Sequence, residues 1–261
     1  MIKIDFHCHT KYSFDSETEP EDLILSAISK DLKAIAITDH ADVDCEDQGL
    51  YWDFSFPGRK ECIAELKEKY KDKIKVFHGI EIGQPYNRPD FSKKLIEDNG
   101  FDFILGSVHN LKNMVDFCFL KYESIPESMI EYLYRRYIED NMKLTEIDYI
   151  DSIGHISYPM RYISLAGASF DLSKLYPDYE NLCNAIVHNG KIIEINTSTL
   201  RKGFDFTMPS EDILDIYKSV GGKYVTLGSD AHTADDIGAN IEDGIKLAKK
   251  LGLTVLTDFS K

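Results

Sequence analysis

Seven short apolar runs rich in β-formers punctuate this chain, at Ile2–His7, Ala34–Thr38, Lys75–Ile80, Phe101–Val108, Tyr149–Gly154, Lys191–Asn196 and Lys223–Gly228. Nine residues of ligand chemistry accompany them: His7, His9, Asp15, His40, Glu81, His109, His155, Asp230 and His232. All but Asp15 fall at or just beyond the end of a run, and six of the chain's eight histidines belong to the set. Imidazole mixed with carboxylate suits zinc, iron or manganese. A metal site on the rim of a barrel accounts for that regularity.

Helical patterns separate most of the runs: Glu21–Lys30 after Pro20, Arg59–Tyr70 after Pro57, Ile125–Glu146, Leu172–His188, Ser210–Ser219 and Asn240–Leu251. Strand alternating with helix predicts a parallel sheet with right-handed crossovers. A doubly wound open sheet would gather its chemistry near one switch point. Here chemistry follows strand after strand, which favours an α/β barrel whose loops converge on one rim. The longest connection, Asn110 to Asp148, is expected to cover the site. The irregular stretch Ala41–Phe56, with the single Trp52 and several acids, suits either a substrate-contacting loop or a plain surface loop.

The 261 residues, 43% hydrophobic, can bury an ordinary core, and no composition shift or repeat divides them, so one domain over 1–261 is expected. A formal charge of −15 argues against a protein that grips nucleic-acid phosphates. The Lys67–Lys73 stretch alternates with acids and reads as a solvated helix face. Five cysteines form no CxxC pair and suggest no disulfide framework. No run approaches ~20 apolar residues and the start carries no apolar signal, so a soluble cytoplasmic protein without a membrane partner is expected. Oligomeric state is left open.

In Asp5-Phe6-His7-Cys8-His9, period-two alternation sends Asp5, His7 and His9 to one face and Phe6 and Cys8 to the other. Cys8 then reads as a packed core residue. Asp230 and His232 repeat the same spacing after the last strand, and Thr38-Asp39-His40, Gly79-Ile80-Glu81, Ser107-Val108-His109 and Gly154-His155 stand between. The two other histidines take structural roles, His188 within a helical run and His78 at the wrong parity relative to Glu81.

These motifs resemble the polymerase and histidinol phosphatase (PHP) superfamily over nearly the whole chain. Ile104-Leu105-Gly106-Ser107-Val108-His109 and Glu194-Ile195-Asn196-Thr197-Ser198-Thr199-Leu200-Arg201 are most similar to its histidinol-phosphate phosphatase branch. The resemblance implies a distorted (β/α)7 TIM-like barrel with a trinuclear site at the C-terminal rim. It further implies one ion on His7, His9, Glu81 and Asp230, a second on Glu81, His109 and His155, and a third on Asp15, His40 and His232. Position 15 is histidine in some relatives, and the aspartate adds negative charge. Three divalent ions against three carboxylates leave a local positive excess that suits a phosphate dianion plus hydroxide, despite the acidic chain.

Arg161 and Arg201, near the same rim, fit bidentate recognition of phosphate. The implied activity is hydrolysis of L-histidinol phosphate, a small-molecule phosphomonoester of histidine biosynthesis, with a metal-bridging hydroxide as nucleophile. Glu17, Asp42, Asp44, Asp116 and Asp205 are candidates to meet the substrate's ammonium or imidazole, with Ser198 a further substrate contact. Asp42, two residues beyond His40, ranks first as proton donor to the leaving alkoxide. Phosphodiester hydrolysis, phosphotyrosine hydrolysis and a non-catalytic metal-binding module are the alternatives, and the acidic balance counts against a nuclease.

Overall fold

The computed structural model describes residues 2–44 and 56–259. Nine strands form one parallel sheet: β1 (Ile4–Cys8), β2 (Ala34–Ile37), β3 (His40–Asp42), β4 (Lys75–Gly83), β5 (Phe103–Ser107), β6 (Ser152–Ile153), β7 (Ile192–Asn196), β8 (Tyr224–Gly228) and β9 (Thr254–Val255). The order is β1-β2-β4-β5-β6-β7-β8-β9, with β3 also on β4. All seven expected strands are present. The sheet curls until its first and eighth strands meet at a parallel bridge between Cys8 and Ala231. There the His9 amide donates to Ala231 O at 2.8 Å and the Asp230 amide to His7 O at 2.9 Å. The result is a distorted β/α barrel, joined where the last residues of β1 meet the segment just beyond β8.

β3 is the continuation of β2. Ala34 faces Lys75 and His40 faces Glu81 in one unbroken register, and the Glu81 amide reaches Asp39 O across the gap. The break at Thr38-Asp39 aims His40 at the rim. Gly79 in β4 leaves room for the Thr38 methyl, which a Cβ would meet at 2.9 Å.

β1 departs from simple alternation. Ile4 and Asp5 pair with Ala34 and Ile35, but Cys8 pairs with Ile37, so β1 carries one residue more than β2 in that interval. This β-bulge resets the parity. Phe6, expected on the face opposite His7 with Cys8, instead packs with Phe77 and Phe103 at centroid distances of 5.2 and 5.4 Å, beneath the site. Asp5, expected beside His7, sends its carboxylate to the amides of Ser229 and Gly238. Cys8 packs among Leu23, Ile24 and Ile63 as the sequence predicts. Phe259 closes the barrel's lower end against Phe6 and Phe103.

Nine helices among the described residues surround the sheet: α1 (Pro20–Ser29), α2 (Arg59–Tyr70), α3 (Pro89–Asn99), α4 (Glu127–Thr145), α5 (Tyr158–Leu165), α6 (Tyr176–His188), α7 (Ser198–Arg201), α8 (Glu211–Ser219) and α9 (Ile241–Lys250). Proline opens α1, its fixed φ fitting the first helical turn where no N–H is needed. The long α4 packs outside the barrel against α6, β5 and β6, and so does not cover the site as expected. Only the earlier part of that connection, around Val115–Phe119, reaches the rim. Residues 45–55 of the irregular stretch, Trp52 included, lie outside the described residues. No described helix is long and apolar enough to cross a membrane.

Candidate metal centre

Glu81 lies near the C-terminal end of β4, which is buried from Val76 to Gly83, and organises the rim. Its Oε2 lies 3.2 Å from His7 Nε2, 3.6 Å from His9 Nε2 and 2.9 Å from His40 Nδ1. Its Oε1 faces His109 Nε2 at 3.1 Å, His155 Nε2 at 2.9 Å and the Ser107 hydroxyl at 2.7 Å. One carboxylate thus divides five histidines into two groups. Asp230 Oδ1 stands 3.7 Å from His7 Nε2 and 3.6 Å from His9 Nε2. Asp15 Oδ2 meets His232 Nε2 at 3.0 Å and His40 Nε2 at 3.6 Å. All nine candidate ligands expected from the sequence therefore converge.

Donor atoms close enough to share an ion fall into overlapping sets: His7, His9 and Asp230; His7, Glu81 and His155; His9, His40 and His232; His40, Asp42 and His109. His7 Nε2, His9 Nε2, His40 Nδ1 and Glu81 Oε2 are buried without a hydrogen-bond partner. Orphaned buried polar atoms are rare, and their usual explanation is a missing ion or water. Four such atoms aimed into one space are the arrangement a divalent cation satisfies, so the residues fit the implied metal.

Electrostatics point the same way. Burial opposes ionisation of Glu81, but His7, His109 and His40 outweigh it and hold the carboxyl well below its ordinary range. Asp230 behaves alike, with His7, His9 and Arg161 outweighing its burial. Burial and the neighbouring His232 and His40 push His9 down to about 3, leaving it neutral and able to ligate. His7, His40 and His109 are raised because the acids around them overcome burial, a surplus of negative charge that calls for cations.

The second ring nitrogens are also held. Glu194, which heads the second branch motif but carries no expected role at the site, is buried in β7 and takes His7 Nδ1 at 2.7 Å on one oxygen and the His155 amide at 2.8 Å on the other. A charged residue inside an apolar strand was the available signal. Asp42 Oδ1 pairs with His109 Nδ1 at 2.8 Å. Such partners fix tautomer and ring orientation. Asp230 sits at φ +55, left-handed backbone that aspartate tolerates better than bulkier residues.

Above the candidate ligands lies a cavity of about 280 Å³, whose walls include Arg161, Arg201 and Lys202 together with Glu81 and Asp230. Arg161 Nη1 donates to Asp230 Oδ2 at 2.9 Å, while its buried Nε has no partner. Arg201 is more fully engaged, donating to Ser229 O and Asp230 O and lying 3.6 Å from Asp236. An adjoining, more apolar cavity of about 460 Å³ is lined by Phe14, Val115, Phe119, Asp42 and Asp116 among others. Burial pushes the Asp116 carboxyl up, and the Tyr158 hydroxyl donates to it at 3.2 Å.

The remaining sequence candidates sit elsewhere. Asp44 is locked by Gln84, Asn87 and Asn110. Ser198 gives its hydroxyl to Asn196 Oδ1 and lines neither cavity. Glu17 and Asp205 are exposed and also line neither. His188 is exposed at the end of α6, and His78 packs on Phe101 away from the ligands.

A parallel β/α barrel carrying a histidine and carboxylate cluster at the C-terminal ends of its strands defines a metal-centre barrel protein. The chain belongs to the PHP family, whose domain model matches residues 5–198. It is 30% identical to a probable histidinol-phosphatase of Clostridium acetobutylicum over 95% of this chain and 94% of that one. It is 28% identical to the histidinol-phosphatase of Lactococcus lactis, over 100% and 95%. The crystal structure of the Lactococcus lactis histidinol phosphate phosphatase, complexed with zinc, L-histidinol and phosphate, superposes with a TM-score of 0.84 at 26% identity, covering 99% of this chain and 97% of that one.

Proposed function

We propose that this protein is a metal-dependent phosphomonoesterase that hydrolyses L-histidinol phosphate, built as one domain around three divalent ions. The observation that carries the reading is the set of unpartnered buried ligand atoms facing a cavity walled by Arg161, Arg201 and Lys202. The sheet running from Ile4 to Val255, with β1 joined to the segment after β8 beside the candidate ligands, supports a single domain. His7, His9, Glu81 and Asp230 would hold one ion, Glu81, His109 and His155 a second, and Asp15, His40 and His232 a third. Bound divalent ions would supply Lewis acidity toward the phosphoryl oxygens and ionise the attacking water near neutral pH.

The protein's own groups do the positioning. Arg161, tied to Asp230 through Nη1, lines the cavity, and the rest of its guanidinium suits an equatorial phosphoryl oxygen. Arg201 chiefly holds the Ser229-Asp230 backbone in place, and its remaining reach adds positive potential. Asp42 orients His109, a role its 2.8 Å contact favours over donating a proton. Asp116, beside the apolar cavity, faces the leaving group and suits its ammonium or imidazole, while Phe14, Val115 and Phe119 exclude water from the ring. The Cys118 amide and the Tyr158 hydroxyl already donate to Asp116 but bring no positive charge, so substrates that lack a cationic group leave its carboxylate without a counter-charge and are penalised.

The test is phosphate release by metal-loaded protein from histidinol phosphate, a simple alkyl phosphate, phosphotyrosine and a dinucleotide, alongside elemental analysis. Histidinol phosphate should exceed the alkyl phosphate in kcat/KM by roughly two orders of magnitude or more. About three transition-metal ions per chain are expected from the ligand count. Equal rates, or faster cleavage of the dinucleotide, would overturn the substrate reading, and one ion or none in active protein would overturn the trinuclear one.

A further inference from the structure

The buried ion pair of Arg59 and Asp39 has no part in the chemistry above, yet it lies directly behind a ligand. Arg59 is 1% exposed and Asp39 fully buried. Arg59 Nε donates to Asp39 Oδ2 at 2.6 Å, and its Nη2 caps Ile37 O at 2.9 Å and Gly79 O at 2.7 Å, on the two strands that flank the site. Asp39 Oδ1 takes the Thr10 amide at 2.6 Å and the Thr10 hydroxyl at 2.9 Å, then the Ser13 hydroxyl at 3.2 Å. Ser13 Oγ also lies 3.0 Å from the His40 amide and 3.1 Å from His9 Nδ1.

Proton counting at Ser13 leaves one solution. A hydroxyl has one hydrogen and two lone pairs. The His40 N–H can only donate, so it occupies one lone pair. A carboxylate paired with arginine can only accept, and a charge-assisted bond is the stronger use of the single hydroxyl hydrogen. Turning that hydrogen toward His9 instead would press the Ser13 lone pairs against Asp39. The second lone pair therefore receives a hydrogen from His9 Nδ1. His9 Nε2, 3.6 Å from both Glu81 Oε2 and Asp230 Oδ1 and without a partner, then carries its lone pair toward the ion.

We propose that Arg59, Asp39 and Ser13 form a positioning relay that sets His9 in its Nδ1–H tautomer and so presents Nε2 for metal before any ion arrives. His7 and His109 face a carboxylate directly. For His9 the negative charge stands one hydroxyl away and is anchored to both neighbouring strands by Arg59, so the ring is oriented without a further acid beside the cluster. Asp39 and Arg59 are positioning residues, as neither touches the cavity.

The relay rests on the proposed metal centre, and the experiment separates the two. Full-length protein is stripped with a chelator, zinc affinity is measured by competition with a chromophoric chelator, and the His9 tautomer is read from long-range ¹H–¹⁵N correlations. Wild type should show His9 protonated at Nδ1 alone. Ser13→Ala, which removes the hydroxyl and adds no bulk, should give mixed His9 tautomers and weaken one zinc ion by about tenfold to a hundredfold, the usual effect of losing such a partner. Unchanged affinity and tautomer in Ser13→Ala would overturn the relay alone. Wild type that takes up no zinc would overturn the metal centre together with it. Should Ser13→Ala fail to fold, the wild-type tautomer decides: His9 protonated at Nε2 rejects the proposal.

Discussion

Replacing Glu194 with glutamine changes one atom and tests how the metal ligands are aimed. Glu194 Oε1 accepts from His7 Nδ1 at 2.7 Å, whereas Oε2 accepts two donors, the His155 amide at 2.8 Å and Asn196 Nδ2 at 3.2 Å. A glutamine has one oxygen for these three donors. Placing it where two N–H groups converge leaves the NH2 against His7 Nδ1, which must then accept. The His7 proton moves to Nε2, the atom that faces Glu81 and Asp230. The opposite orientation sets the NH2 against two donors and leaves both unsatisfied, at about 1–3 kcal/mol each. The first is therefore favoured, and Glu194→Gln should weaken zinc by about tenfold to a hundredfold, or ~1.4 to 2.7 kcal/mol. Competition with a chromophoric chelator measures the affinity, and thermal unfolding in excess chelator follows the metal-free fold. Wild-type zinc affinity in the variant would refute this account of His7. A large loss of metal-free stability with affinity intact would mean the amide had turned the other way.

Three further outcomes are expected. Arg161→Lys should lower kcat and kcat/KM by about a hundredfold or more, since one ammonium cannot hold Asp230 and fork onto a phosphoryl oxygen together; steady-state rates unchanged in both constants would remove Arg161 from the site. Gly228→Ala would drive a Cβ into Glu194 Oε1 and His7 Cβ, so about 1–3 kcal/mol of stability should be lost with a fall in bound metal, and denaturant unfolding with elemental analysis giving wild-type values would count against it. Burial, aided by the Arg59 charge, lowers His78 to about 3. The unfolded chain then takes up a proton below its ordinary pKa near 6.5 while the folded chain does not until about 3. Stability is drained as pH falls through that window, and His78→Gln should flatten this part of the stability profile; an identical profile would show that His78 is not the group responsible.

The residues that converge at the rim were legible because imidazole and carboxylate are conspicuous after apolar strands, and each strand end needs only its own local pattern. What the sequence could not carry was relation between distant segments. The bulge in β1 arises from pairing with β2 and is invisible in the alternation of Asp5 to His9, which is why Phe6 was assigned to the wrong face. Glu194 shows no role, and Asp42 suggests a proton donor and not a histidine's partner, until His7 and His109 arrive from elsewhere in the chain. Arg59 was part of a helical pattern, and nothing local says that it turns inward to Asp39. α3, with only Phe91, Leu95 and Ile96 as large apolar residues in its span, was too weakly patterned to read as a helix.

The seam of the barrel and the candidate metal site are made of the same residues. His7 and His9 contribute backbone groups to the junction with Asp230 and Ala231, while the side chains of His7, His9 and Asp230 face the same ion position. An ion held there acts as a clasp between the two ends of the fold, closing a loop that spans most of the chain, and constraints on long loops exclude the most denatured conformations. Removing metal would therefore be felt as more than loss of a reagent from the rim. It would unfasten β1 from the segment that follows β8, and amide exchange at His9 and Asp230 would rise together, ahead of the strands on the far side of the barrel.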